Sequence, residues 1–167
     1  MKTRCGIVIV LVALAALLFA SLPAAAPASV SLNSYEQQLV KRINQERAKR
    51  HLASLRVNAK LVDSARSHSA DMGDRQYFDH NSPSGETWSQ RIVRHGYTRQ
   101  GYRVWKAGEN IAWGAGLYSS PVLIVDKWMK SPMHRAVILT KSFRDLGVGA
   151  VSGKGWFFTL DLGRRAR

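Results

Sequence analysis

The chain has 167 residues, 46% of them hydrophobic, and a formal net charge of +14 at pH 7. That length suits one globular domain with a sizeable core. The only cysteine, Cys5, lies close to the N-terminus, which excludes a disulfide framework, so core packing has to stabilise the fold.

The first 28 residues have the features of an export signal. Lys2 and Arg4 give a positive start, and residues 7–20 form an unbroken apolar run. This run is shorter than the ~20 residues that span a bilayer. We expect cleavage after Ala28, with a cut after Ala26 or retention as an N-terminal anchor as the alternatives. The signal predicts a secreted or periplasmic protein with no transmembrane span once it is removed.

The next residues predict a short leader and then a single domain. Residues 29–33 are small and polar, which indicates a flexible leader, and no repeat or linker divides residues 34–167. Ser34 and Gln37 have the spacing of a capping box, so a first helix is expected over 35–51.

A second helix is expected over 59–75, with Asn58 as its cap. Leu61, Ala65, His68 and Met72 fall on one stripe of this helix. His68 is therefore interpreted as a hydrogen-bonded core histidine rather than a ligand.

The middle of the chain gives weaker signals. Residues 79–85 are rich in Asn, Ser, Pro and Gly and predict a loop, followed by a short helix over about 86–95. From 97 to 116 the pattern is irregular, and part of it is expected to be a strand.

The last third contains clearer boundaries. Ser120-Pro121 starts a helix that runs to Lys130 and buries Val122, Val125 and Trp128 or Met129, and Ser131-Pro132 starts another that ends near Leu139. Two β-rich runs, Leu146–Val151 and Trp156–Leu162, predict a hairpin turning at 152–155. Helices with a small antiparallel sheet make an α+β domain.

The positive charge is clustered. Such a field favours anionic lipid, lipopolysaccharide or a phosphorylated cell-wall polymer, although a solvated surface that only aids solubility would look the same. Nucleic acid is not expected, since the chain is exported and has no recognition motif. The clusters are Lys41, Arg42, Arg47, Lys49, Arg50, Arg56 and Lys60; Arg91, Arg94, Arg99, Arg103 and Lys106; and Arg164, Arg165 and Arg167.

Three polar residues stand in distinctive local contexts. His80 lies in YFDHNSPSG, Glu109 in AGENIAWG and His134 in KWMKSPMHRAVIL. Two imidazoles and a carboxylate can converge on a divalent cation such as Zn²⁺, with His80 and His134 as ligands and Glu109 as third ligand or general base. The alternative is a hydrogen-bonded cluster that pins the 79–85 loop to the AGENIAWG segment.

These segments, in this order, resemble the secreted CAP superfamily of cysteine-rich secretory, antigen 5 and pathogenesis-related proteins, in its short bacterial form. The likeness covers residues 36–163. It implies an α-β-α sandwich and a cleft lined by His, Glu, a second Glu and His, of which His80, Glu109 and His134 match three.

The chain departs from that pattern at two positions. Ser131 stands where the second Glu is expected, which weakens any activity that needs two carboxylates. Val137 replaces the asparagine usual after His-Arg-Ala, which removes one hydrogen-bonding group from the cleft.

Ser131 also lies three residues before His134, which invites a Ser-His-Glu hydrolase interpretation. No Gly-x-Ser-x-Gly elbow is present, so a helix cap followed by Pro132 is the simpler interpretation.

The function expected from these observations is a secreted, monomeric CAP module. It would bind a lipid or an anionic envelope ligand without catalysis, in a cleft lined by His80, Glu109, Ser131 and His134. The alternative is a zinc-dependent hydrolase or peptidase that uses the two histidines and Glu109.

Overall fold

The structure is a computed structural model that describes residues 30–167, so the expected export signal over 1–28 lies outside the described residues. The helices are α1 (Ser34–Ala48), α2 (Ala59–Arg75), α3 (Trp88–Arg94), α4 (Pro121–Lys130) and α5 (Pro132–Ile138). The strands are β1 (Arg56–Val57), β2 (Val104–Gly114), β3 (Asp145–Gly153) and β4 (Gly155–Ala166). A 3₁₀ turn, Gly116–Ser119, connects β2 to α4.

The helices begin close to the predicted positions. Asn58 caps α2 as predicted. At α1 the predicted cap was wrong by one residue: the Asn33 side chain accepts from the Glu36 N–H, and the Glu36 side chain accepts from the Asn33 N–H, both at 2.9 Å. Asn33 also donates to the Ala150 carbonyl, and Ser31 accepts from Arg66, so the leader expected at 29–33 joins the domain at Ser31.

The strands form one four-stranded sheet in the order β1-β3-β4-β2. The predicted hairpin is confirmed as β3 and β4. The strand expected within residues 97–116 is confirmed as the 11-residue strand β2, which pairs antiparallel with β4 along its whole length. The short strand β1 was not predicted, and it pairs parallel with β3 in a sheet that was expected to be antiparallel.

The two faces of the β3–β4 hairpin differ in chemistry, and helices cover both of them. On one face six apolar side chains pack against α1, α4 and α5: Leu146, Val148, Ala150, Phe158, Leu160 and Leu162. The opposite face lies against α2 and carries Gly147, Gly149, Thr159 and Asp161. The predicted α-β-α sandwich is confirmed. In α4 the buried positions are Ile124, Val125, Trp128 and Met129, whereas Val122 is exposed, contrary to expectation.

Two glycines of β3 allow α2 to approach the sheet. A Cβ on Gly147 would overlap the Leu61 backbone, and one on Gly149 would overlap the Ala65 backbone. We expect Gly147→Ala to lower the free energy of unfolding by about 3 kcal/mol, because helix backbone has to move aside. Urea unfolding measures this. The control Gly153→Ala, whose Cβ would lie 3.8 Å from its nearest neighbour, should change it by less than about 0.5 kcal/mol. Equal losses would contradict the explanation.

Candidate functional site

Glu109 lies at the centre of a buried polar cluster on the edge strand β2. Its side chain is 1% exposed, and its two oxygens bind different partners. Oε1 accepts a hydrogen bond from His80 Nδ1 at 2.7 Å, and Oε2 accepts one from Arg91 Nη2 at 2.5 Å. The fold therefore brings together two of the three residues singled out in the sequence, which lie 29 positions apart.

The contact with Glu109 orients the His80 ring. Because Nδ1 donates to the carboxylate, the Nε2 of the neutral imidazole carries a lone pair. The hydrogen bond to Glu109 raises the pKa of His80 above its ordinary value of 6.5, against a smaller opposing effect of burial. The side chain is 44% exposed, so this ring presents a titratable group to solvent from a fixed position.

Arg91 links this pair to the loop that carries His80. Its guanidinium is buried, and Nη2 donates to the His80 carbonyl at 3.2 Å as well as to Glu109. Arg91 and Arg47 were predicted to lie in basic surface clusters, and both predictions were wrong. Arg47 is fully buried and donates to the carbonyls of Ala53 and Ile138. Neither cation is available to a polyanion.

Asp161 on β4 lies directly across from Glu109 in the sheet. It is fully buried, and neither of its oxygens has a hydrogen-bond partner within residues 30–167. Burial, and then the nearby charge of Glu109, raise the pKa of Asp161 well above its ordinary value of 3.8. The surroundings therefore favour the protonated form of this carboxyl group over the ionised form.

His134 lies on α5, and its surroundings differ from those of His80. Its Nδ1 is 2.8 Å from the Ser131 hydroxyl, and its backbone carbonyl accepts from Asn110 Nδ2 at 3.0 Å. Burial, and then the positive charge of neighbouring His80, lower the pKa of His134 below 6.5. The pKa values of the two histidines are thus shifted in opposite directions, so His80 binds a proton more readily than His134.

Ser131 precedes α5, in the position expected of a cap, but its side chain makes no capping hydrogen bond. Its hydroxyl pairs with His134 instead. Glu109 does not continue this pair into a triad, because within the described residues its side chain pairs with His80 and Arg91 and not with His134. A nucleophile needs a base that is oriented by a third group.

The arrangement of the donors decides whether zinc fits the site. Catalytic zinc has three protein ligands and an open position. The Glu109 side chain is 1% exposed, and no group of three His, Cys, Asp or Glu residues in the described part of the chain is arranged to hold a metal. Two imidazoles remain, so the residues present do not fit a three-ligand zinc centre.

His68 is a buried core histidine, as predicted. Its Nε2 donates to the Asp79 carbonyl at 2.9 Å, which ties α2 to the loop that carries His80. Burial is the main cause that lowers the pKa of His68. Burial therefore favours the neutral form of the ring, and its hydrogen bond to Asp79 supports the loop that carries His80.

A groove opens beside His134. Its volume is about 410 Å³, and most of its wall is aromatic or aliphatic, with Lys127, Ser131 and His134 as the polar members. Trp113 and Phe78 are half exposed at its mouth, whereas Trp128 is buried and donates to the Ile111 carbonyl at 3.0 Å. The apolar wall consists of Phe78, Ile111, Ala112, Trp113 and Trp128.

Arg91 and Asp161 were not predicted as residues of the site, although the sequence carries a signal for each of them. Trp88, Arg91 and Ile92 have the i, i+3, i+4 spacing of one helix face, which places Arg91 beside the core residue Ile92. Asp161 alternates with apolar residues in a strand that is covered on both faces, which predicts a buried carboxyl.

This α-β-α domain, with His80 and Glu109 coupled at the edge strand, is a module of the cysteine-rich secretory type. The model of the CAP cysteine-rich secretory protein family matches residues 40–162, so the chain belongs to that family. The curated relative YkwD of Bacillus subtilis, an uncharacterized protein, is 41% identical over 132 residues, covering 78% of this chain and 48% of the relative.

Solved structures agree with this assignment. An extracellular protein containing an SCP domain from Bacillus anthracis is 31% identical, with a TM-score of 0.67, covering 81% of this chain and 45% of that protein. An outer surface protein of Borrelia burgdorferi has the same fold at 21% identity, with a TM-score of 0.67, covering 81% of this chain and 96% of that one.

The Bacillus anthracis and Borrelia burgdorferi proteins are extracellular or surface proteins by name. Within residues 30–167 of this chain, no helix is long and apolar enough to cross a bilayer. The chain spans about half the length of the curated relative YkwD and of the Bacillus anthracis protein.

Proposed function

We propose that this chain is an exported, non-catalytic binding module that holds an amphiphile with an anionic head in the groove beside His134. The observation that carries the proposal is the composition of that groove. An aromatic and aliphatic wall fits an acyl chain, whereas Lys127 offers positive charge and Ser131 and His134 offer hydrogen bonds to a head group.

The site polarity supports an anionic head. Lys127 is exposed at the groove, and His80, whose pKa is raised, adds positive charge next to the groove residue His134. Carboxylate or phosphate oxygens form charge-assisted hydrogen bonds with a lysine such as Lys127. The groove and this charge together favour a fatty acid or a lipid with an acidic head over a neutral sterol.

The hydrolase alternative lacks support of this kind. Glu109, which it needs as third ligand or base, is buried and paired with His80 and Arg91, and no three possible metal ligands within residues 30–167 are grouped to hold a metal. Tight Zn²⁺ binding in calorimetry that disappears in His80→Ala/His134→Ala would favour the metal centre instead.

The test is titration with decanoate, kept below its critical micelle concentration, and with decanol. We expect decanoate to quench or shift tryptophan fluorescence with saturation, and to bind more tightly than decanol. Trp113→Ala should weaken binding about tenfold, because the chain loses aromatic contact area. The control Val93→Ala changes an exposed apolar side chain on α3, outside the groove, and should leave affinity unchanged.

Lys127→Met separates the head from the chain. It should reduce the preference for decanoate over decanol and leave decanol affinity unchanged, because it removes charge but keeps apolar length. If Trp113→Ala and Val93→Ala bound decanoate equally well, the groove would not be the binding site.

A further inference from the structure

The exposed apolar side chains of the described residues are concentrated on one surface. Six of the nine large ones lie at the end of β2, in the 3₁₀ turn, at the start of α4 and at Phe78. Leu117 is 88% exposed and Tyr118 65%. Single exposed apolar residues are ordinary, but a contiguous group marks an interaction surface. We call this group the apolar rim: Phe78, Trp113, Leu117, Tyr118, Val122 and Leu123.

Lys127 connects three members of the rim, Phe78, Trp113 and Tyr118. Phe78, Trp113 and Lys127 line the same groove, and Lys127 Nζ lies 5.0 Å from the Tyr118 ring centroid. The 3₁₀ turn is held against the strand end, since a Cβ on Gly114 would overlap the Tyr118 carbonyl. The side chains of Leu117 and Tyr118 are therefore exposed to solvent on a turn that packs closely against the end of β2.

Lysines outnumber carboxylates at the border of the rim, where the exposed Asp79 follows Phe78 and accepts a hydrogen bond from the Asn81 N–H. Lys127 and Lys130 lie on the exposed side of α4, and Lys154 shares a second groove with Phe78 and Trp113. Residues 113–134 contain one carboxylate, Asp126, and Arg42 binds it at 2.7 Å.

We infer that the apolar rim docks into the head-group region of an anionic lipid bilayer. An apolar surface with a basic border matches that interface, where acyl boundary and negative head groups lie side by side. A second copy of the chain fits less well, since a two-fold contact would bring the lysine borders of both copies together.

The inference rests on the proposed function and deepens it. The rim forms the mouth of the amphiphile groove through Phe78 and Trp113. Docking would bring this mouth to the membrane surface, where a lipid can enter from the bilayer without crossing water. The mouth of the ligand-binding groove and the docking face are then parts of one surface.

The test is sedimentation with phosphatidylglycerol and phosphatidylcholine vesicles, using protein exported and processed by the expression host. We expect partitioning onto phosphatidylglycerol and little onto phosphatidylcholine. Leu117→Ser/Val122→Ser should reduce partitioning by about tenfold or more, because two apolar side chains no longer leave water. Lys130→Gln should reduce it about fivefold, because a lysine near an anionic surface contributes about that factor.

The matched control is Val57→Ser/Val93→Ser, the same chemical change at two exposed apolar positions away from the rim. It should partition like the wild type, so any contribution from the rest of the chain cancels in the comparison. Equal partitioning of the rim and control variants would overturn the inference. Absence of wild-type binding, or a dimer that the rim variant converts to monomer, would overturn it as well.

The decanoate titration separates this inference from the proposed function. Leu117 and Val122 do not line the groove, so the rim variant should bind monomeric decanoate like the wild type. Lost vesicle binding with intact decanoate binding supports the docking face. If the wild-type protein binds decanoate but does not bind vesicles, the docking inference is refuted and the proposed function is not.

Discussion

Arg91→Met is expected to lower the free energy of unfolding by about 3–5 kcal/mol, because it leaves a buried carboxylate without its cation. Both side chains of the Arg91–Glu109 pair are 1% exposed, so water cannot replace the lost contact. The same guanidinium holds the His80 carbonyl, so decanoate affinity should fall as well. Urea unfolding followed by tryptophan fluorescence measures the stability.

The matched control for this change is Arg94→Met, three positions along the same helix. Arg94 pairs with Glu86, but its side chain is 54% exposed, and such a surface pair contributes less than about 1 kcal/mol. Glu109→Gln added to Arg91→Met should recover part of the loss, since both charges are then gone. Similar losses for Arg91→Met and Arg94→Met would show that the buried pair is not a main support of the site.

Asp161→Asn is expected to change how stability depends on pH. The pKa of Asp161 in the folded protein is raised, so the folded state retains a proton that the unfolded state releases above about pH 3.9. The stabilising contribution of that proton is complete below about pH 4. It is lost as pH rises toward the raised pKa, by about 1.4 kcal/mol per pH unit.

The neutral amide cannot lose this proton. The free energy of unfolding of Asp161→Asn, minus that of the wild type, should therefore increase with pH between about 4 and the raised pKa. Urea unfolding at a series of pH values gives this difference. The groups that face Asp161 are Glu109, Arg91 and Ser64, and all three are unchanged in the variant.

Asp126→Asn provides the control for pH, because Asp126 lies on α4 with its side chain 35% exposed. A stability difference for Asp161→Asn that is flat with pH would mean that the buried carboxyl is ionised over the whole range.

Much of the architecture was predictable because local signals agree with the tertiary packing. Asn58 caps α2, Pro121 and Pro132 start α4 and α5, and the alternation over 146–162 forms the hairpin. The bounds of β2 were not predicted, because its glycines and polar residues lower its intrinsic strand preference. Pairing with β4 along the whole length of β2 compensates for that deficit.

The sequence by itself determined that the chain is cysteine-poor and strongly basic and that its fold is α+β, and it indicated His80, Glu109, Ser131 and His134 as candidate site residues. Only the tertiary structure decided how these residues divide. Glu109 pairs with His80 and Arg91, whereas Ser131 pairs with His134. The reason is that a buried carboxylate accepts hydrogen bonds only from the donors that lie next to it. Folding brings those donors together from distant positions in the chain. The same packing buried Arg91 and Arg47 and left the apolar rim in contact with water.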